Sequence, residues 1–343
     1  YKRQGYFVAV CLSVLFSGQM LELAHFITRD FYFLFAPFIA LAFYKAEVNV
    51  NYLVAGIKVG LIVLGIIIIN QLSSGIIRTS GVINAAVFGN LSVLMFFVVL
   101  VFYQQESFKL NIFTILSLLS GILVIGASGT RGAWLTFIIL LAVYCYFLYK
   151  QKTKSSKRSK IIIVLLIATV VSAGSLNQYV SDRVYISYVQ TSNWLSGDRD
   201  INSISERLEI YKVALDSVED VPFFGHGLRT SNIVLFKNNS NNFEKYALSY
   251  NHLHNAYLTS YYNGGIVLLA ALLLILFVPF RVFIKASSQN RENPLFLAGI
   301  LLVVGYVSFG MVNILLGDVF MNAFYVFFVA IFFIQTAKSK KTS

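Results

Sequence analysis

Charge is what this sequence lacks most. Only 12% of its 343 residues are charged, 57% are hydrophobic, and the mean hydropathy is +0.73. A soluble globular domain carries about twice that charge, so a soluble enzyme is excluded. Cysteine is scarce as well: Cys11 and Cys145 both fall inside apolar runs, which gives neither a disulfide framework nor a metal-ligand spacing. Long segments of alternating polarity are missing, which argues against an outer-membrane barrel and for helices. No small-residue cleavage pattern follows the first apolar run, so that run does not read as a cleaved signal peptide. No internal repeat is found of the kind that transporters show.

What is present is a succession of apolar runs, each near the roughly 20 residues that a hydrocarbon core of about 30 Å demands. They fall at 5–20, 31–44, 52–70, 85–103, 110–125, 133–149, 161–173, 264–283, 295–315 and 319–334. The expected fold class is therefore an all-α polytopic membrane protein with about ten transmembrane helices. The net charge of +12 does not point to nucleic acid, because most Lys and Arg sit in short breaks between these runs. The densest basic run, 150–160, is assigned to the cytoplasm. Alternation then puts Lys2, Arg3, Lys45, Lys109, the turn at 281–291 and the tail inside, and puts Arg78, Arg131 and the loop at 175–252 on the outer face. The chain divides accordingly into helices one to seven (1–174), the outer loop (175–252), and helices eight to ten with a basic tail (253–343). It starts at Tyr1 just before an apolar run, a pattern that reads as a cut between membrane helices.

The long loop is where chemistry is expected. Ser203-Ile204-Ser205-Glu206 reads as a capping box opening a helix near 204–218, with Ile204, Leu208, Tyr211, Leu215 and Val218 as its apolar stripe. Arg207 lies in the first turn, off that stripe, where its charge opposes the helix dipole. Gly225-His226-Gly227 reads as a turn, and the loop leaves through Asn251-His252-Leu253-His254-Asn255. Arginines on one face suit a diphosphate, because the guanidinium fork binds phosphate oxygens in pairs and stays charged. A histidine beside them suits proton removal from a hydroxyl. Metal ligation by His252 and His254 is disfavoured: a helical metal pair stands four apart, and no Asp or Glu lies in 251–262.

The order of Gly129-Thr130-Arg131-Gly132-Ala133-Trp134-Leu135, then Glu206-Arg207-Leu208-Glu209-Ile210-Tyr211 with Pro222, Gly225 and Gly227, then His252-Leu253-His254-Asn255 with Gly264-Gly265, resembles the O-antigen ligase and polymerase superfamily. The resemblance implies a C-type glycosyltransferase-like bundle, usually of about twelve helices, with a large periplasmic loop in the bacterial inner membrane. An amino-terminal helix pair upstream of Tyr1 is then expected. It further implies transfer of polysaccharide from an undecaprenyl-diphosphate-linked donor to a lipid A-core acceptor, inverting, with no cofactor and no metal. By position, Arg131 and Arg207 resemble the family's diphosphate-binding arginines and His254 its proposed base. Arg78, His252 and Asp318 are further substrate-binding candidates. The ligase branch is favoured, with the polymerase as alternative and a protein-glycosylating relative more distant. A transporter or flippase for an anionic substrate is the reading from another class.

Topology is open to direct test. Reporter fusions at Lys154 and Asn239 are expected to report opposite sides of the membrane; a shared side would undo both the helix count and the common outer face.

Overall fold

The computed structural model describes residues 4–19, 30–46, 49–76, 83–103, 111–150, 178–198, 200, 202–237, 252–314 and 316–339. Arg78 and the run at 161–173 lie outside these residues. The described residues hold twelve α-helices and no strand: α1 (Gln4–Phe16), α2 (Tyr32–Lys45), α3 (Val50–Ser73), α4 (Ala85–Tyr103), α5 (Asn111–Ala127), α6 (Arg131–Lys150), α7 (Gln178–Leu195), α8 (Ser205–Asp216), α9 (Ser231–Lys237), α10 (Ala256–Gln289), α11 (Pro294–Gly310) and α12 (Val319–Ser339). A 3-10 turn, Val218–Asp220, follows α8. Five helices, α3, α4, α6, α10 and α12, are long and apolar enough to cross a bilayer, and α1, α2, α5 and α11 are apolar and shorter. Together with the apolar surface described below, they make this a multi-pass membrane protein.

Short polar residues set where these helices start. The side chains of Asn49, Asn84, Asn255, Asn293 and Asp318 accept hydrogen bonds from backbone N–H groups two residues on, at 2.9 to 3.0 Å. Each thereby satisfies a donor that an apolar helix cannot leave unpaired in lipid. Pro294 follows Asn293 at the first turn, where its missing N–H costs nothing.

The chain forms two compact units. The first comprises Tyr1–Val8, Ala24–Lys152 and Ala271–Ser343. Its centre is α4, buried on all sides from Val87 to Phe102, and Phe96 and Phe97 close a ring cluster with Phe137 of α6 at 5.2 to 5.4 Å. A helix that is apolar all round belongs in such a place. Its neighbours turn large apolar residues outward instead, among them Phe38, Ile66, Ile112 and Ile138. A surface of that kind is made for lipid, not water. Between helices, packing is supplemented by hydroxyl and amide bonds: Thr136 to Ser308 at 2.7 Å, Tyr306 to the Met321 carbonyl at 2.6 Å, Tyr325 to the Ile275 carbonyl at 2.5 Å, and Asn322 to Asp30 at 3.2 Å. Lipid supplies no hydrophobic drive between helices, so contacts like these carry the association.

The second unit comprises Ala9–Leu23 and Thr153–Ala270. Its core is Ile210, Val213 and Ala214 of α8 with Leu235, Leu253 and Tyr262. The buried face of α8 is thus turned from the expected stripe, and Leu215 is 60% exposed. The helix start is also displaced by one residue. Ile204 makes no side-chain cap, whereas the Asn202 side chain accepts from the N–H groups of Ile204 and Ser205, and Ser205 Oγ accepts from Asn202 N at 3.0 Å. The reciprocal logic of a capping box holds, but Asn202 and Ser205 perform it in place of Ser203 and Glu206.

A second correction concerns the helix expected at 264–283. It begins eight residues earlier at Ala256, and Gly264 and Gly265 interrupt it with φ −132° and +62°. Two carbonyls left without helical partners are met from elsewhere: Tyr262 O accepts from His226 N at 2.8 Å, and Asn263 O accepts from Gly227 N at 3.0 Å and from Ser13 Oγ at 2.7 Å. The turn read at Gly225-His226-Gly227 is therefore the patch over the break. Gln19 fastens the same turn by bonding Leu228 N and O at 2.8 and 3.0 Å, and Phe16 stacks on Phe224 at 4.0 Å.

Only glycine fits at 265, because a Cβ there would press into the Phe223 carbonyl and the backbone is left-handed. Gly265→Ala is expected to cost at least about 2 kcal/mol, read as a clear drop in melting temperature in detergent. Gly56→Ala on α3, where a Cβ meets nothing within 4 Å, is expected to change stability by less than about 1 kcal/mol. Equal effects would mean that the break is not a packed feature.

Candidate active site

The residues that carry chemistry in the second unit meet where α8 packs against the segment before α10. His252 and His254 place their ring centroids 4.7 Å apart, edge to face. Two residues apart, they would diverge on a helix; they converge here because His254 takes the left-handed conformation, with φ +52°. That conformation is uncommon for a residue with a side chain and persists only where neighbours enforce it. Three contacts do so. Leu253 N donates to Thr259 Oγ1 at 3.0 Å, Asn255 Oδ1 caps Tyr257 N and Leu258 N at 2.9 and 3.1 Å, and the Tyr211 hydroxyl of α8 donates to the His254 carbonyl at 2.8 Å.

Arg207 stands one turn before Tyr211 on α8, half-buried, on the face that Tyr211 presents to the histidines. Burial, the neighbouring His252 and the Arg207 charge together hold the His254 imidazole down at about 3, and burial with Arg207 holds His252 at about 4. Both rings are neutral at pH 7. Burial raises the Tyr211 phenol, keeping it a proton donor. Glu206, beside Arg207, is itself buried, and its Oε1 has no hydrogen-bond partner; burial pushes its carboxyl up, against the lowering pull of Arg207. The arrangement combines a fixed cation, a neutral base of restricted access and a carboxylate at one edge. Chemically, it can hold an anion and accept a proton next to it.

Arg131 and Asp318 belong to the first unit. Arg131 opens α6 behind Thr130, whose carbonyl accepts from Ala133 N and whose Oγ1 donates to the Ala85 carbonyl at 3.0 Å. Gly129 takes the left-handed conformation, with φ +60°, and Trp134 Nε1 donates to the Ile125 carbonyl at 3.1 Å. The small-residue run 126–132 is thus a rigid helix-to-helix turn that presents one arginine. Asp318 caps α12, its Oδ1 accepting from Phe320 N and Met321 N at 2.9 and 3.2 Å. Among the described residues, no three His, Cys, Asp or Glu side chains gather as a metal ion needs.

Sequence reasoning missed two features here. Tyr211 was legible only as an apolar stripe residue, since nothing local announces a partner 43 positions away. Asn202 was legible in principle, because Asn-x-x-Ser carries the capping-box spacing one residue ahead of Ser-x-x-Glu.

The depressed values predict a pH dependence. Below about 6.5 the unfolded chain takes up protons that the folded histidines refuse, so stability is complete above that pH and declines as pH falls toward about 4 and about 3. Melting temperature in detergent should therefore drop between pH 7.5 and 5 in the wild type, and the drop should shrink in His252→Gln/His254→Gln. An unchanged slope would place both rings in water.

The chain is 25% identical over 211 residues to an uncharacterized protein of Haemophilus influenzae, an alignment covering 61% of this chain and 53% of that protein. It thus spans about half the length of the relative it matches. The stretch from α5 through the first half of α10 carries Arg131, Arg207, His252 and His254, and this stretch, residues 113–273, matches the O-antigen ligase family.

Proposed function

We propose that the protein is a glycosyltransferase that moves a glycan from undecaprenyl diphosphate to a sugar hydroxyl of a lipid A-core acceptor at the periplasmic face of the inner membrane. The observation that carries this reading is the His252–His254 pair, with His254 buried and clasped to the helix of Arg207, inside the segment that matches the ligase family. In this mechanism the acceptor hydroxyl gives its proton to His254 as its oxygen attacks the anomeric carbon. The bond from that carbon to the diphosphate oxygen breaks, and inversion follows from attack opposite the leaving group. Arg207 stabilises the charge that grows on the departing diphosphate, a contribution larger in the transition state than before it. An anion-binding role is also proposed for Arg131, which by its position in the sequence resembles the family's diphosphate-binding arginines.

An imidazole held at about 3 is a weak base. Burial is the largest cause, followed by His252 and Arg207; a diphosphate on Arg207 offsets the Arg207 part alone, in the direction of greater His254 basicity. Premature deprotonation of water is thereby disfavoured.

Purified protein reconstituted with carrier-linked glycan and core lipid, without added divalent metal, is expected to yield core-linked glycan. His254→Ala should lower transfer by roughly two to four orders of magnitude while leaving donor binding largely intact. Arg207→Ala should weaken donor binding as well, and Arg207→Lys should not fully restore it. Glycan growth on the carrier with the core lipid untouched would assign the polymerase reaction instead. Movement of donor across the bilayer with no new glycosidic bond would replace the transferase reading by a transporter.

A further inference from the structure

We infer that Tyr211 is a positioning residue for the proposed transfer, fixing the backbone of His254 so that its imidazole stands at a set distance from the charge of Arg207. The inference rests on the transferase reading above and adds a residue to it. Of the three contacts that hold His254 in its left-handed conformation, those of Thr259 and Asn255 are local, made within six residues of the histidine. Among these three, the Tyr211 hydroxyl is the one that reaches it from another element, and that element carries Arg207 one turn away. Losing this bond removes the hold of α8 on the 254–255 peptide, so the imidazole shifts relative to Arg207, which α8 keeps in place.

The same two elements offer a built-in comparison. Tyr262 donates to the Ala214 carbonyl at 2.6 Å and Tyr261 to the Val218 carbonyl at 3.3 Å, so three tyrosine hydroxyls staple the α8 region to the segment 254–262. Tyr262 is as deep as any of them, at 1% exposed, but its bond lies at the far end of α8 from Arg207 and does not touch His254. A merely structural role predicts that losing either hydroxyl has the same kind of effect.

Tyr211→Phe and Tyr262→Phe are therefore compared in the reconstituted transfer reaction and by NMR of 15N-histidine-labelled protein, with the His254 signals identified by their loss in His254→Gln. Tyr211→Phe is expected to lower kcat between roughly ten- and a hundredfold at unchanged donor KM, and to shift the His254 ring signals. Tyr262→Phe should lower melting temperature by at least as much while leaving both kcat and those signals in place. The inference is overturned if Tyr211→Phe keeps wild-type kcat, if its kcat falls with no change in the His254 signals, or if Tyr262→Phe reproduces both effects. A wild type that makes no glycosidic bond under these conditions would remove the transferase reading and with it a catalytic role for Tyr211. The NMR comparison would then still decide whether the hydroxyl orients the histidine.

Discussion

An interrupted helix in an apolar chain must have its orphaned carbonyls answered, and in the second unit nearly everything follows from how that is done. The break at Gly264–Gly265 frees Tyr262 O and Asn263 O, and the turn at 225–227 with Ser13 takes them up. In a low-dielectric setting an unmet carbonyl costs several kcal/mol, so this turn cannot be placed anywhere else. Holding the turn fixes where α8 ends, since Pro222 and the 3-10 turn Val218–Asp220 stand directly between them. The fixed position of α8 in turn sets which of its residues meet the segment of the two histidines. The geometry of Arg207, Tyr211 and His254 is thus a downstream result of two glycines and the peptide bonds that cover for them.

The bundle was legible because lipid imposes a length and a composition that the sequence displays openly. The run read at 85–103 coincides with α4 at both ends, and the small-residue turn before Arg131 was recognisable as a helix start. Where the reading slipped, short-range signals were present in duplicate or pointed the wrong way. Asn202 and Ser203 both qualify as a cap, and the choice between them is decided by which register lets Ile210, Val213 and Ala214 reach the core. The stretch 256–263 is rich in tyrosine and polar residues, so hydropathy alone placed the start of the next helix at 264; the eight residues are helical because Asn255 caps them and Tyr262 anchors them.

The candidate site was legible as a set of residue types and not as a constellation. Two histidines beside an arginine in a polar loop suggest anion binding and proton transfer from chemistry alone. Their convergence depends on a backbone dihedral at His254 that alternation rules do not encode, and on a hydroxyl contributed from far upstream. Lys58 shows the reverse situation: it lies inside an apolar run that reads as a lipid-facing span, yet its side chain is 4% exposed.

Arg131 and Arg207 share one awkward trait. Each sits in the first turn of its helix, where the exposed N–H groups already make the end positive; α8 offsets this with Glu206 beside Arg207, whereas the first turn of α6 carries no acidic residue. Arg131 thus adds to the positive end of α6. An anion that bound the folded form alone at such a helix start would make occupancy and folding linked quantities.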